Sequence, residues 1–207
     1  MLKINNNRKG FTLIELLVVI AIIAILAVVV VLTLNPAELL RQARDSNRTS
    51  DFATLKSALG LYGADVSTTT LLCGTTSCTA NTIFISYSST TISTSTFDSS
   101  STPTGWGFLG GETLLNVSTS RSITGNGWMP VDFAAISSGA PIGSLPVDPV
   151  NTDGQHLYTY VAGPTTYKLA TKMESQKYGN GGSNDVVSTD GGNSSTTFEA
   201  GTNITGY

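Results

Sequence analysis

Charge is scarce in this chain. Of its 207 residues only 12% are charged, about half the usual share, while 40% are hydrophobic. That combination excludes a disordered acidic or basic tail, which needs high net charge and few apolar side chains. A net charge of −3 and an isoelectric point near 5.0 give no basic footprint, so nucleic acid is not expected as a primary ligand. One histidine and two cysteines leave no set of Cys and His ligands for zinc. Neither a P-loop nor an H-E-x-x-H spacing occurs. The lone imidazole, His156, stands in a polar stretch, and a Ser-His-Asp set drawn from so many serines carries no information. These absences point away from an enzyme.

The shortage is greatest between Phe11 and Leu34. There FTLIELLVVIAIIAILAVVVVLTL holds 21 apolar residues in 24 and one ionisable group, Glu15. As a helix rising about 1.5 Å per residue it spans roughly 36 Å, enough for a hydrocarbon core of about 30 Å. A buried core helix is the alternative, but few soluble helices are apolar on every face. Ahead of the run, MLKINNNRKG carries Lys3, Arg8 and Lys9 and no acid. Such a leader holds its end in the cytoplasm and sends the chain from Asn35 onward outside. The run exceeds the about 7–15 apolar residues of a secretory signal, and no A-x-A site follows. On composition alone it is an uncleaved signal anchor.

Two residues complicate that reading. Gly10 separates the basic leader from the apolar run, and Glu15 lies just inside it. A carboxylate at mid-membrane costs about 2.5–3.5 kcal/mol, less near an interface, so Glu15 either snorkels, stays protonated or has a function. The segment RKG followed by FTLIELLVVIAIIAILA resembles the class III signal sequence of type IV pilins and pseudopilins. The resemblance is specific from Arg8 to about Ala27; beyond Leu34 it covers architecture only. It implies cleavage after Gly10 by a prepilin peptidase, N-methylation of Phe11, and Glu15 as the carboxylate used in assembly. Cleavage would free an α-amine with a pKa of about 7.7–8. In a low-dielectric surrounding, carboxylate and ammonium need each other, so Glu15 is expected to pair with the Phe11 amine of a neighbouring subunit. Many members of the family carry a proline within the apolar run. Here the first is Pro36, which places any kink or break at Asn35–Pro36.

Beyond Pro36 the pattern stays helical. Phe52, Leu55, Leu59 and Tyr62 recur on one face, and Leu40 and Ala43 can extend that stripe toward the membrane. Glu38, Arg41, Asp45, Arg48 and Asp51 are assigned to the opposite face, as solvated or inter-subunit pairs of about 0.2–0.5 kcal/mol each. Gly60 and Gly63 are expected to end the helix near Tyr62, giving a rod of roughly 78 Å from Phe11.

From Ser67 to Thr104, 23 of 38 residues are Ser or Thr, which suits loops, sheet edges or O-glycosylation. IFISY (83–87) reads as a strand and Ile92 to Phe97 as a weaker one. Cys73 and Cys78 are expected to pair outside the cytoplasm, a local staple worth about 2 kcal/mol. LYTYVA (157–162) and TYKLATKM (166–173) read as a hairpin in which Tyr167, Leu169 and Met173 are buried while Lys168, Ala170 and Lys172 stay wet. Asn184, Asp185 and Asp190 offer oxygen ligands, and some pseudopilins bind calcium in such a region; the spacing fits no EF-hand, and a turn-rich loop is the stronger reading. The proline-rich LPVDPVNTDGQ resembles a loop that precedes the last strands in small pilins.

The expected architecture is α+β, a long N-terminal helix packed on a small antiparallel sheet. Residues 1–10 form a cleaved leader, 11–35 the membrane and filament-core helix, 36–66 an amphipathic stalk and 67–207 an exported head. The resemblance implies a filament subunit with copies of itself, a prepilin peptidase, an assembly ATPase and a membrane platform as partners. A pseudopilin of a secretion or DNA-uptake system is the alternative within the family. A signal-anchored adhesin that never polymerises is the alternative outside it.

Overall fold

The structure is a computed structural model that describes residues 10–66, 71–73, 82–87, 113–152, 154–163 and 166–205. By internal contacts it divides into two compact units, Met1–Leu40 and Arg41–Tyr207.

The first unit is dominated by α1 (Leu13–Leu34). Thr12 caps its start, and Asn35 ends it in the left-handed region at φ 40 and ψ 74, a conformation that Asn tolerates better than most residues. Pro36 then opens α2 (Pro36–Asp65). Proline suits the first helical position because its missing N–H would have no intrahelical partner there. Asn35 also starts the new helix, its Oδ1 accepting from the Glu38 amide at 3.4 Å. The break expected at Asn35–Pro36 therefore has a local cause in both residues.

In the second unit, five strands form one sheet in the order β2-β1-β3-β4-β5. They are β1 (Thr82–Ile85), β2 (Thr113–Val117), β3 (Thr159–Ala162), β4 (Tyr167–Thr171) and β5 (Phe198–Gly201). Every pairing is antiparallel except β1 with β2, which joins one edge in parallel. Phe84, Tyr160, Ala162, Tyr167 and Leu169 on one sheet face pack with Phe52, Leu55, Ala58, Leu59 and Tyr62 of α2 in the main core. Trp128, Met129, Val131, Phe133 and Leu145, from the irregular stretch between β2 and β3, complete it. Phe52 stacks on Phe198 at 5.6 Å and meets Tyr158 edge-on at 5.2 Å, pairs worth about 0.5–1.5 kcal/mol beyond their burial. On the other face Ile83, Ile85, Leu157, Val161 and Ala170 make a smaller core.

Four expectations are corrected. The apolar stripe of α2 does not extend to Leu40 and Ala43, which are both exposed. Instead Asp45 and Arg48, assigned above to a solvated face, are fully buried. The spacing explains it: Asp45 and Arg48 precede Phe52 by seven and four residues, so one helical face carries all three. The hairpin forms, but β4 has no wet face, since every one of its five residues is buried, Lys168 included. Finally, α2 runs through Gly60 and Gly63 to Asp65, whose carboxylate accepts from the Ser137 amide and hydroxyl at 2.6 Å each. The weaker strand expected over 92–97 lies outside the described residues, and β2 and β5 were not foreseen.

Candidate functional site

At the front of the chain, Gly10, Phe11 and Glu15 fall within six residues and all are exposed. Thr12 and Glu15 form a capping box. The Glu15 amide donates to Thr12 Oγ1 at 3.3 Å, while Thr12 N and Oγ1 donate to Glu15 Oε2 at 2.7 and 2.8 Å. The box satisfies amides at the helix start that have no intrahelical acceptor, and it sets a carboxylate at the positive end of the helix dipole. Both donations fall on Oε2, which leaves Oε1 open to a further donor. The T-x-x-E spacing announces the box, a signal that a reading of Glu15 as a lone membrane carboxylate passes over. A Cβ placed on Gly10 meets nothing within 4 Å. Packing among the described residues therefore gives no reason for glycine there.

Behind this start, Leu13–Val31 has a mean hydropathy of 3.4 and none of it is buried. Its length and composition suffice to cross a membrane. At the other end of the helix, Thr33 returns its hydroxyl to the carbonyls of Val29 and Val30 at 3.0 Å. Its one polar group is thereby held within the helix.

The second unit holds a charged cluster that the sequence reading missed. Arg48 donates from Nε and Nη2 to the two oxygens of Asp148 at 2.7 and 2.9 Å, and from Nη1 to Asp45 at 2.7 Å. It also meets Glu174, which Arg44 holds from the partly exposed side. Asp45 accepts in turn from the amides of Glu174 and Ser175 at 2.8–3.1 Å. Burial opposes the Arg48 charge, yet the carboxylates around it raise its pKa above the ordinary value. Burial likewise opposes the Glu174 charge, and hydrogen bonds from Arg44 and Arg48 overcome it, lowering that carboxyl from 4.5 to about 2. The cluster fastens the proline-rich loop, through Asp148, and the segment after β4, through Glu174, onto α2. Its chemistry is structural, since every charge is spent on another.

Elsewhere, Cys73 is buried and disulfide-bonded; Cys78 lies outside the described residues. Asp185 accepts from the amides of Gly181, Val187 and Ser188 at 2.8–2.9 Å, and bonds from Ser188 foremost hold its carboxyl below the usual range. Asp190 accepts from Gly192 and Glu199 amides at 2.8 and 2.6 Å. Of the three expected oxygen ligands, Asp185 and Asp190 thus turn their carboxylates to nearby backbone amides. Among the described residues no group of three or more His, Cys, Asp or Glu could hold a metal ion. His156 is half-buried in the turn before β3.

No curated protein and no solved structure matches the chain. Residues 5–31 match the family described as the prokaryotic N-terminal methylation motif, a stretch that contains Gly10, Phe11, Glu15 and most of α1. The chain therefore opens with the class III signal shared by type IV pilin and pseudopilin precursors.

Proposed function

We propose that this chain is a structural subunit of a type IV pilus-like filament, cut after Gly10 by a prepilin peptidase, methylated at Phe11 and polymerised through α1. The observation that carries this reading is α1 itself, apolar on every side, unburied, and opened by a single carboxylate. Acyl chains satisfy such a surface first, and the same helix of sister subunits satisfies it later. The exchange changes hydrophobic energy little, so close packing and one ion pair can decide it. Oε1 of Glu15, which takes neither capping-box donation, accepts from the new amine of a neighbouring Phe11. Gly10 suits a bond that must enter a peptidase, since packing among the described residues gives no reason for glycine there. The precursor sits in the plasma membrane with its leader in the cytoplasm, and an ATPase acting through a membrane platform extrudes the polymer. The work is assembly rather than catalysis.

A pseudopilin would use the same helix in a shorter fibre. Surface filaments containing the chain favour the pilus, whereas a secretion or uptake defect without visible fibres favours the pseudopilin. Glu15 itself is tested by two substitutions. Glu15→Gln keeps a side chain able to close the capping box and removes the charge; Glu15→Ala removes both. Leader removal and membrane insertion persist in both variants, and filaments disappear in both. Normal filaments from Glu15→Gln would overturn the pairing.

A further inference from the structure

Lys168 occupies the sheet face that also carries Ile83, Ile85 and Val161, and its side chain is wholly buried. Its Nζ meets Glu199 Oε1 at 2.5 Å and Asn193 Oδ1 at 2.7 Å there. Glu199 comes from β5, one step diagonal to Lys168, because the register sets Gly201 opposite Lys168 and Glu199 opposite Ala170. Its side chain is equally buried. Asn193 comes from the loop before β5 and is exposed at its outer side. Two glycines permit the approach. A Cβ on Gly192 would collide with the Glu199 carboxylate, and one on Gly201 would strike Tyr167 O and press against Lys168 Cα.

A desolvated amine bonded at once to a carboxamide oxygen and to a carboxylate has the parts needed for amide transfer: nucleophile, electrophile and proton carrier. We propose that Lys168 and Asn193 join in an intramolecular isopeptide bond, with Glu199 relaying protons between them. In the first step Lys168 gives a proton to Glu199 and becomes a neutral amine. Nζ then attacks Cγ of Asn193, and the new C–N bond forms as the carbonyl π pair moves onto Oδ1. When that pair returns, the Cγ–Nδ2 bond breaks and its electrons leave with the nitrogen. Of the three ammonium protons of Lys168, two pass through Glu199 to the departing nitrogen and one stays on the new amide. Ammonium leaves, Glu199 ends as it began, and no oxidant or other reactant is consumed. Burial raises the Glu199 carboxyl above the usual carboxylate range, which favours its accepting the first proton; the bond from Lys168 offsets part of that rise. The exposed side of Asn193 gives the released nitrogen a way out. Once made, the link would tie β4 to the loop beside the edge strand β5, closing residues 168–193 into a covalent ring.

The test is intact mass and peptide mapping of the full chain purified in detergent, beside Asn193→Ala and Lys168→Arg. The native chain is expected to weigh one ammonia less than Asn193→Ala predicts after the side-chain difference is subtracted, and to yield one branched peptide containing both Lys168 and Asn193. Both variants are expected to lose the branch, and Asn193→Ala, altered at an exposed loop position, keeps the fold. Recovery of Lys168 and Asn193 from the native chain in separate peptides would overturn the proposal. So would an ammonia loss without a branch, which marks a cyclic imide between Asn193 and Ser194. If Lys168→Arg does not fold, the native peptide map alone decides.

Discussion

The two units of this chain treat water in opposite ways. In the first, Leu13–Val31 turns its apolar side chains outward and buries none of them. In the second, even charges are taken inside, with Asp45, Arg48, Lys168 and Glu199 all at or near zero exposure. A helix like α1 is stable only where something other than water meets it, and its own sequence sets no preferred face. The second unit is specified internally, because each buried charge requires a named partner at a named place. One unit thus depends on surroundings other than water, and the other holds the partners of its buried charges within itself.

The sharpest way to break that contrast is Arg48→Ala. It leaves the carboxylates of Asp45 and Asp148 buried without their cation, and about 3–5 kcal/mol of stability is expected to be lost in urea unfolding followed by near-ultraviolet dichroism. A loss under 1 kcal/mol (about the worth of an exposed pair) would show that the cluster is not closed as described. Matched truncations come next. Leu55→Ala in the core is expected to cost about 2–5 kcal/mol, whereas Leu17→Ala in α1 leaves the unfolding midpoint of the second unit unchanged. Equal effects from the two would erase the distinction between the units. The smallest effect is the acid limb. Glu174 is held at about 2 in the folded chain against an ordinary 4.5, so its contribution is present above 4.5 and lost as pH falls toward 2. Glu174→Gln is expected to flatten that part of the stability profile, read as urea midpoints across the same window. A profile parallel to the native one would remove Glu174 from the cluster.

Much of this was legible in the sequence for physical reasons. An apolar run with a single carboxylate, a basic leader and the Gly10–Phe11–Glu15 spacing need no tertiary information, and neither does the existence of the β3–β4 hairpin. The Asn35–Pro36 break is equally local. Asp45 and Arg48 are legible too, since 45, 48, 52, 55, 59 and 62 advance by threes and fours along one face, even though their charge points toward water. What lies beyond the sequence is the partner of each buried charge. Asp148 is a hundred residues from Arg48 in the chain, and nothing local announces that they meet. Lys168 looked wet for the same reason, because Glu199 and Asn193 reach it only after β5 has paired. The edge strands β2 and β5 are short and carry little alternation, so their place depends on the strands beside them.

The central claim, that α1 is a processed helix shared among copies of the chain, is tested most directly by mass spectrometry of the N-terminal peptide from sheared filaments. The account predicts a peptide that begins at Phe11 with a methyl group on its amine, recovered from polymeric material. A native chain that still begins at Met1 and sediments as a single copy would contradict it.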